Sequence, residues 1–261
     1  MTRVRAKKYL GQHFLNDLSI AQEITESLPV PPSHVIEVGP GMGVLTQFLI
    51  KRADIDLQLV EIDEESVVYL HNHYPELKDR IIEGDFLQLD LAKMFPDKFS
   101  IIGNFPYNIS SQIFFKAYDN RHQIHSVVGM VQREVGRRMA SGPGSKEYGI
   151  LSVLLQSFFD VEYLFTVEPG VFTPPPKVKS AVIRMVRNDI NKLPCNEELF
   201  LKVVKAAFNQ RRKMMRNSLS KLQFNLPAVT HLPVFNLRPE QMSVLDFQEL
   251  TQLIEANPLK Q

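Results

Sequence analysis

Short apolar runs alternate along the first 187 residues with stretches in which apolar positions recur every three or four residues. Val35–Val38, Leu57–Ile62, Ile81–Glu83, the Ile101-Ile102 run that ends at Asn104, Ser126–Val131, Val161–Thr166 and Ser180–Val186 have the length and β-branched content of buried strands. Between them, Leu18–Ser27, Val44–Ile50, a segment starting near Glu64 and one carrying Arg133, Arg137 and Arg138 have helical spacing. Asn16 or Asp17 is the expected cap of the first helix and Asp63 of the helix after the second strand, while Pro29, Pro31 and Pro32 break the chain before Val35. Strands alternating with helices predict an α/β fold with a mostly parallel sheet. Ser141–Gly149 reads as a mobile loop, and Ile150–Gln156 as either helical or extended.

The pattern changes after Asn188–Asn196, a polar stretch with a proline. Phe200, Val203, Val204, Ala207 and Phe208 form a helical stripe, a basic run follows, and leucine-rich segments broken by Pro227, Pro233 and Pro239 lead to an amphipathic helix over Ser243–Ala256. Two domains are expected, 1–187 as α/β and 188–261 as a small all-helical one.

Composition adds little until charge is mapped. At 261 residues with 44% hydrophobic residues the chain is ordinary globular material. Its formal net charge of +1 conceals two clusters. Arg3, Arg5, Lys7 and Lys8 open the chain, and Lys205, Arg211, Arg212, Lys213, Arg216 and Lys221 fall in one stretch without an acid, which suggests a polyanion or else a solvated helix face. The single cysteine, Cys195, excludes an internal disulfide and a cysteine-only metal cluster. With no apolar run near the ~18 residues of a membrane span and no signal-peptide core, a cytoplasmic protein is expected.

Candidate chemistry sits at the strand ends. The first strand runs into Glu37-Val38-Gly39-Pro40-Gly41-Met42-Gly43, where three alternate glycines let backbone pass close to a ligand. A dinucleotide fingerprint needs Gly where Val44 or Thr46 stands, and no Gly-Lys-Ser/Thr follows for a P-loop. The spacing resembles instead the loop of S-adenosylmethionine-dependent methyltransferases. Glu61, ending the second strand, is placed to accept two ribose hydroxyls; after the third strand, Asp85 is a candidate acceptor for the cofactor's adenine amine, with Phe86 a candidate to pack on its ring. Each acid could equally be a cap or a surface charge. The fourth strand ends in Asn104-Phe105-Pro106-Tyr107, whose Asn104 and Pro106 carbonyls suit the two hydrogens of a nucleobase amine while Tyr107 stacks; the plain alternative is a turn with a capping Asn. Phe172, before Thr173-Pro174-Pro175-Pro176-Lys177, is either a base-stacking ring beside Lys177 and Lys179 or a core anchor.

Together, KYLGQHFLND near the start, the Gly39 loop, Glu61, Asp85, the Asn104 tetrapeptide, FTPPPKVKSAV at 172–182 and AFNQRRKMMRNSL at 207–219 resemble the ribosomal-RNA adenine dimethyltransferases of the KsgA/Dim type along nearly the whole chain. The resemblance implies a Rossmann-like domain with a seven-stranded, mostly parallel sheet, helices on both faces, and a helical domain for RNA. It implies that His13, Leu15, Gly39, Gly41, Gly43, Glu61, Asp85, Phe86 and Asn104 hold S-adenosylmethionine, and that Asn104, Pro106, Tyr107 and Phe172 surround the target adenine. It further implies that Lys7, Lys8, Lys177, Lys179, Arg211, Arg212, Lys213 and Arg216 meet small-subunit ribosomal RNA or an assembling subunit. No metal and no partner copy are expected. His13 stands where many relatives have Asn, Phe105 where Leu or Ile is common, and Met214-Met215 interrupts the basic motif. The rivals are a large-subunit RNA methyltransferase of the erythromycin-resistance type and a non-catalytic assembly factor on the same scaffold.

Overall fold

A computed structural model describes residues 4–29, 34–95, 97–222 and 224–259. Arg3, Pro31 and Pro32 lie outside the described residues. The chain divides into two compact units, Met1–Gly136 with Asp160–Arg187, and Arg137–Phe159 with Asn188–Gln261.

The first unit is built on seven strands: β1 (His34–Val38), β2 (Asp56–Glu61), β3 (Ile81–Glu83), β4 (Phe99–Asn104), β5 (Ile124–Gln132), β6 (Phe159–Val167) and β7 (Ser180–Arg187). Their order across the sheet is β3-β2-β1-β4-β5-β7-β6. The pairs β1–β2, β1–β4, β2–β3 and β4–β5 are parallel, and β5–β7 is antiparallel. The seven-stranded Rossmann-like α/β expectation therefore holds, with a mixed sheet. Val35, Ile36, Leu59, Ile101, Ile102, Val127 and Val128 are fully buried. Both faces of the central strands are covered, which is why they read as continuous apolar runs.

Strand order places the first four strand ends together. Because β1, β2, β3 and β4 run parallel as neighbours, their C-terminal ends, Val38, Glu61, Glu83 and Asn104, meet at one edge, where open α/β sheets bind ligands. Helix α1 (Leu18–Glu26) is capped by Asp17, whose side chain accepts from the amides of Ser19 and Ile20 at 2.9 and 3.3 Å. Helices α2 (Thr46–Leu49) and α3 (Glu64–His73) follow β1 and β2, and Asp63 caps α3. Helix α4 (Ser110–Asp119) follows β4. A pair of two-residue strands, Phe14–Leu15 against Phe172–Thr173, ties the N-terminal segment to the unit.

In the second unit Ile150–Gln156 is helical. The loop before it is pinned within that unit: Arg211 donates to the carbonyls of Lys146 and Ser145 at 2.6 and 3.0 Å, and the Gly144 amide donates to Glu240 O at 2.6 Å. The stripe of Phe200, Val203, Val204 and Ala207 is the buried face of Glu197–Asn209. The closing helix, Val244–Glu255, starts at a Ser243/Asp246 capping box. Among the described residues no helix is long and apolar enough to cross a membrane.

Candidate active site

The C-terminal ends of β1, β2, β3 and β4 enclose a cleft of about 900 Å³ including its open mouth. Gly39, Gly41, Glu61, Asp85, Phe86, Asn104, Pro106, Tyr107 and His13 all line it. Seven other lining residues come from Leu10–Phe14, within the N-terminal strap of residues 7–16, or from Ile62, Leu87 and Asn108.

The glycine loop earns its composition position by position. Gly39, Gly41 and Gly43 have φ of 68, 56 and 76°, the left-handed region that favours glycine. A Cβ on Gly41 would lie 2.9 Å from the Phe14 ring, so the loop and the strap pack directly. Gly43 serves a different contact, because a Cβ there would meet Tyr74 at 2.5 Å, and Gly43 lies outside the cleft lining. Leu15 is buried beside Glu37 and Asn104 in a smaller hollow behind the loop.

The acids differ sharply in environment. Glu61 is 3% exposed, and its two oxygens accept from the amides of Gly41 and Asp63, each at 2.9 Å. Burial raises its pKa while those amides oppose the rise. Glu37, an acid between the apolar residues Ile36 and Val38, is 1% exposed and accepts from Thr46 Oγ1 at 2.7 Å. Burial pushes it up to about 8, the Thr46 hydroxyl working against this and the nearby Glu61 adding to it. Asp85 caps the short turn Phe86–Gln88 through the Leu87 amide at 2.9 Å.

That turn is held from α4. Lys116 Nζ donates to the carbonyls of Leu87 and Leu89 at 2.9 and 2.6 Å and sits 5.7 Å from the centroid of the Phe86 ring. Sequence periodicity gave Lys116 no signal, since its partners lie 27 and 29 residues away.

In the tetrapeptide one residue is fully buried and three are not. Phe105 is 1% exposed and packs edge-on to Phe114, ring centroids 5.7 Å apart, whereas Asn104, Pro106 and Tyr107 are half-buried. The Asn104 amide donates to the main-chain carbonyl of His13 at 2.9 Å. Pro106 O accepts from the Ile109 amide at 3.1 Å, leaving its second lone pair. The Tyr107 hydroxyl pairs with Ser180 Oγ at 2.5 Å, burial raises its pKa, and its ring lies 5.3 Å from that of His13.

Several residues grouped by sequence lie elsewhere. Phe172 is 3% exposed, stands opposite Leu15 in the two-residue pairing and packs into the apolar core, away from the cleft lining. Lys7 forms an ion pair with Asp63, which also accepts from Gln12 at 3.1 Å. Burial works to raise the Asp63 pKa, but the hydrogen bonds from Lys7, Gln12 and Ser66 prevail and hold it low. Lys179 pairs with Glu168 at 2.5 Å, and Arg211 is engaged with the 145–146 carbonyls. Lys8, Lys177, Arg212, Lys213 and Arg216 are exposed.

The donor set suits a nucleoside ligand. Apolar Ile62, Phe86 and Leu87 alternate with acceptors on Glu61 and Asp85, and a Cβ on Gly84 would meet nothing within 4 Å. Comparison with known proteins points the same way. Residues 3–232 match the family described as "Ribosomal RNA adenine dimethylase". Proteins called ribosomal RNA small subunit methyltransferase A are 58% identical in Parabacteroides distasonis, over 100% of this chain and 98% of theirs, and 56% in Cytophaga hutchinsonii, over 97% and 99%. A dimethyladenosine transferase structure from Plasmodium falciparum superposes with a TM-score of 0.80 at 21% identity, covering 94% of this chain and 98% of that one. The 23S rRNA methyltransferase ErmE gives 0.69 at 26% identity, covering 92% and 99%.

Proposed function

Because the chain belongs to the ribosomal RNA adenine dimethylase family, we propose that the cleft above Gly39 and Gly41 is its methyl-transfer site and that Asn104 receives the target amine. The protein is an S-adenosylmethionine-dependent dimethyltransferase of adenine in small-subunit ribosomal RNA. The observation that carries the site assignment is the convergence of Glu61, Asp85 and Asn104–Tyr107, ends of three different strands, on one cleft.

Glu61, whose oxygens each keep a lone pair beyond their amide contact, takes the ribose hydroxyls. Asp85 accepts from the cofactor's adenine amine, and Ile62 and Phe86 pack on the ring. His13, Leu15 and the glycine loop surround the amino-acid end. When bound, S-adenosylmethionine supplies a methyl group on a cationic sulfur. The adenine amine is a poor nucleophile while its lone pair is delocalised into the ring. Asn104 Oδ1 and the free lone pair of Pro106 O accept its two hydrogens and favour a pyramidal nitrogen, with the Tyr107 ring stacked on the base. The target must leave its stack to enter, which suits an unpaired loop or helix end.

Lys8, Lys177, Arg212, Lys213 and Arg216 hold the RNA backbone, with 188–261 as the RNA-gripping part, joined in its unit by Arg137–Phe159, and Met1–Gly136 with Asp160–Arg187 as the transfer unit. Two adjacent adenosines near the 3′ end of the small-subunit RNA are the targets, and the enzyme works as a monomer in the cytoplasm. The large-subunit alternative is less well supported, since the likeness to ErmE is 26% against 58% for a small-subunit enzyme. The test uses small subunits from cells lacking this protein, incubated with it and labelled cofactor. Mass spectrometry of the RNA should find dimethyladenosine at two neighbouring positions; label confined to large-subunit RNA, or none, overturns the proposal.

A further inference from the structure

The two ends of the Asn104 side chain are chemical opposites, since Nδ2 can only donate and Oδ1 can only accept. Its neighbour on the strap is the main-chain carbonyl of His13, 2.9 Å from Nδ2. A carbonyl has no proton to give. With the amide turned over, two acceptor oxygens would face each other, so the strap admits one orientation and leaves Oδ1 as the end available to a ligand in the cleft. Resting on the adenine-methylation reading above, we infer that the strap is a positioning element for the transfer: the His13 main-chain carbonyl sets the acceptor end of Asn104 toward the target amine.

The strap is built to hold that carbonyl still. At its start Lys7 is ion-paired with buried Asp63, and the Lys7 amide donates to Gln12 Oε1 at 2.8 Å while Gln12 Nε2 reaches Asp63 at 3.1 Å. In its middle Gly11 has φ 66°, the left-handed region that favours glycine, and it packs against the loop after Asn104, where a Cβ would lie 2.6 Å from Asn108 Oδ1. The His13 ring is fixed too, since Nδ1 lies 2.7 Å from the Pro174 carbonyl and must donate to it. At its end the Asn16 amide donates to Val171 O and Asn16 Nδ2 to Thr173 Oγ1, both at 2.8 Å. Asp63 stands two residues after Glu61 and also donates its amide to that carboxylate. One continuous set of bonds thus runs from the wall assigned to the cofactor, through the strap, to the amide assigned to the substrate.

Asn104→Asp tests this by chemistry. The variant keeps shape and acceptor, but an ionised carboxylate has no proton for the His13 carbonyl, and only the protonated acid can donate there with one oxygen and accept with the other. In single-turnover assays at saturating small subunit and cofactor, the ratio of variant to wild-type rate should rise by up to about tenfold per pH unit as the assay is lowered from pH 8 to 6. Because the carboxylate stays mostly ionised across that range, hydrogen exchange of the Gln12 and Asn16 amides should be faster than wild type at both pH 8 and pH 6. A rate ratio that does not change with pH, together with strap protection equal to wild type, overturns the inference. Should wild type itself fail to methylate the subunit, the proposed function fails while the exchange measurement still decides the strap's role. If the variant does not fold, wild-type protein labelled in its asparagines carries the same test. One Asn104 side-chain proton should then exchange more slowly than those of exposed Asn217, and equal rates overturn the inference.

Discussion

The ring of Phe105 occupies the space that a side chain on Gly129 would need. A Cβ on Gly129, in the neighbouring strand β5, would lie 2.0 Å from Phe105 Cε2, and one on Gly103 would lie 2.7 Å from Cε1. Two glycines therefore form the seat that turns Phe105 inward, and this turns Asn104 and Pro106 toward the cleft. Gly129→Ala should unseat the ring. Overpacking of this kind costs about 1–3 kcal/mol. A lowered melting temperature together with a reduced rate at saturating substrates is expected, and wild-type values for both would mean that the ring yields without moving Asn104.

Lys116 has two carbonyls and a ring to hold, and none of them is a ligand. In Lys116→Met the Leu87 and Leu89 carbonyls lose their partner, and the turn that presents Asp85 and Phe86 loosens. Hydrogen bonds to a charged group are worth about 1.5–3 kcal/mol each. Only part of that reaches the cofactor, so calorimetry should report S-adenosylmethionine binding weakened by about tenfold, equivalent to about 1.4 kcal/mol. The rate at saturating cofactor should be retained. A lower saturated rate with unchanged affinity would place Lys116 in the transfer step instead.

Loss of Glu61 has a direct and an indirect part. Glu61→Ala removes the acceptor of the ribose hydroxyls and strands the Gly41 and Asp63 amides in a buried place. Cofactor affinity should fall by roughly 2–3 kcal/mol, the scale of a charge-assisted pair, with RNA affinity unchanged. Titration calorimetry giving wild-type affinity would remove Glu61 from the cofactor site.

Glu37 predicts how stability depends on pH. Its folded-state pKa of about 8 lies above the ordinary 4.5, so the folded chain keeps a proton that the unfolded chain releases. Stability from this group is fully present below about 4.5 and falls as pH rises toward about 8, at no more than roughly 1.4 kcal/mol per unit. Glu37→Gln retains an acceptor for Thr46 and cannot ionise. Melting temperatures measured across that window should therefore fall less for the variant than for wild type; parallel curves would mean that Glu37 titrates normally.

The exposed cations of the second unit are tested by salt. Replacing Arg212, Lys213 and Arg216 by Ala should weaken binding to the small subunit and reduce the slope of log affinity against log salt by roughly 0.7–0.9 for each lost phosphate contact. Arg211 is left in place because it pins the 145–146 carbonyls. An unchanged slope would identify the cluster as a solvated face.

The sequence by itself determined the sheet and the chemistry of its edge. Apolar runs at the strands, glycines at the first strand end and polar residues at the next three are local facts, and a strand followed by a helix sends successive parallel strand ends to one side. Family resemblance was equally legible, because it rests on short contiguous motifs. What tertiary structure decided are pairings between residues far apart in the chain. Phe172 packs in the core because the N-terminal strap pairs with its strand, and Lys7 faces Asp63 instead of solvent, 56 residues away. Arg137–Phe159 packs with Asn188–Gln261 as one unit although 28 residues of the first unit separate them, Asp160–Arg187. The Asn104 amide finds its orientation in a carbonyl 91 residues earlier. A main-chain carbonyl is present at every residue, so sequence carries no mark of which one will be used. Only the folded strap, fixed by its ion pair and its two-residue pairing, selects His13.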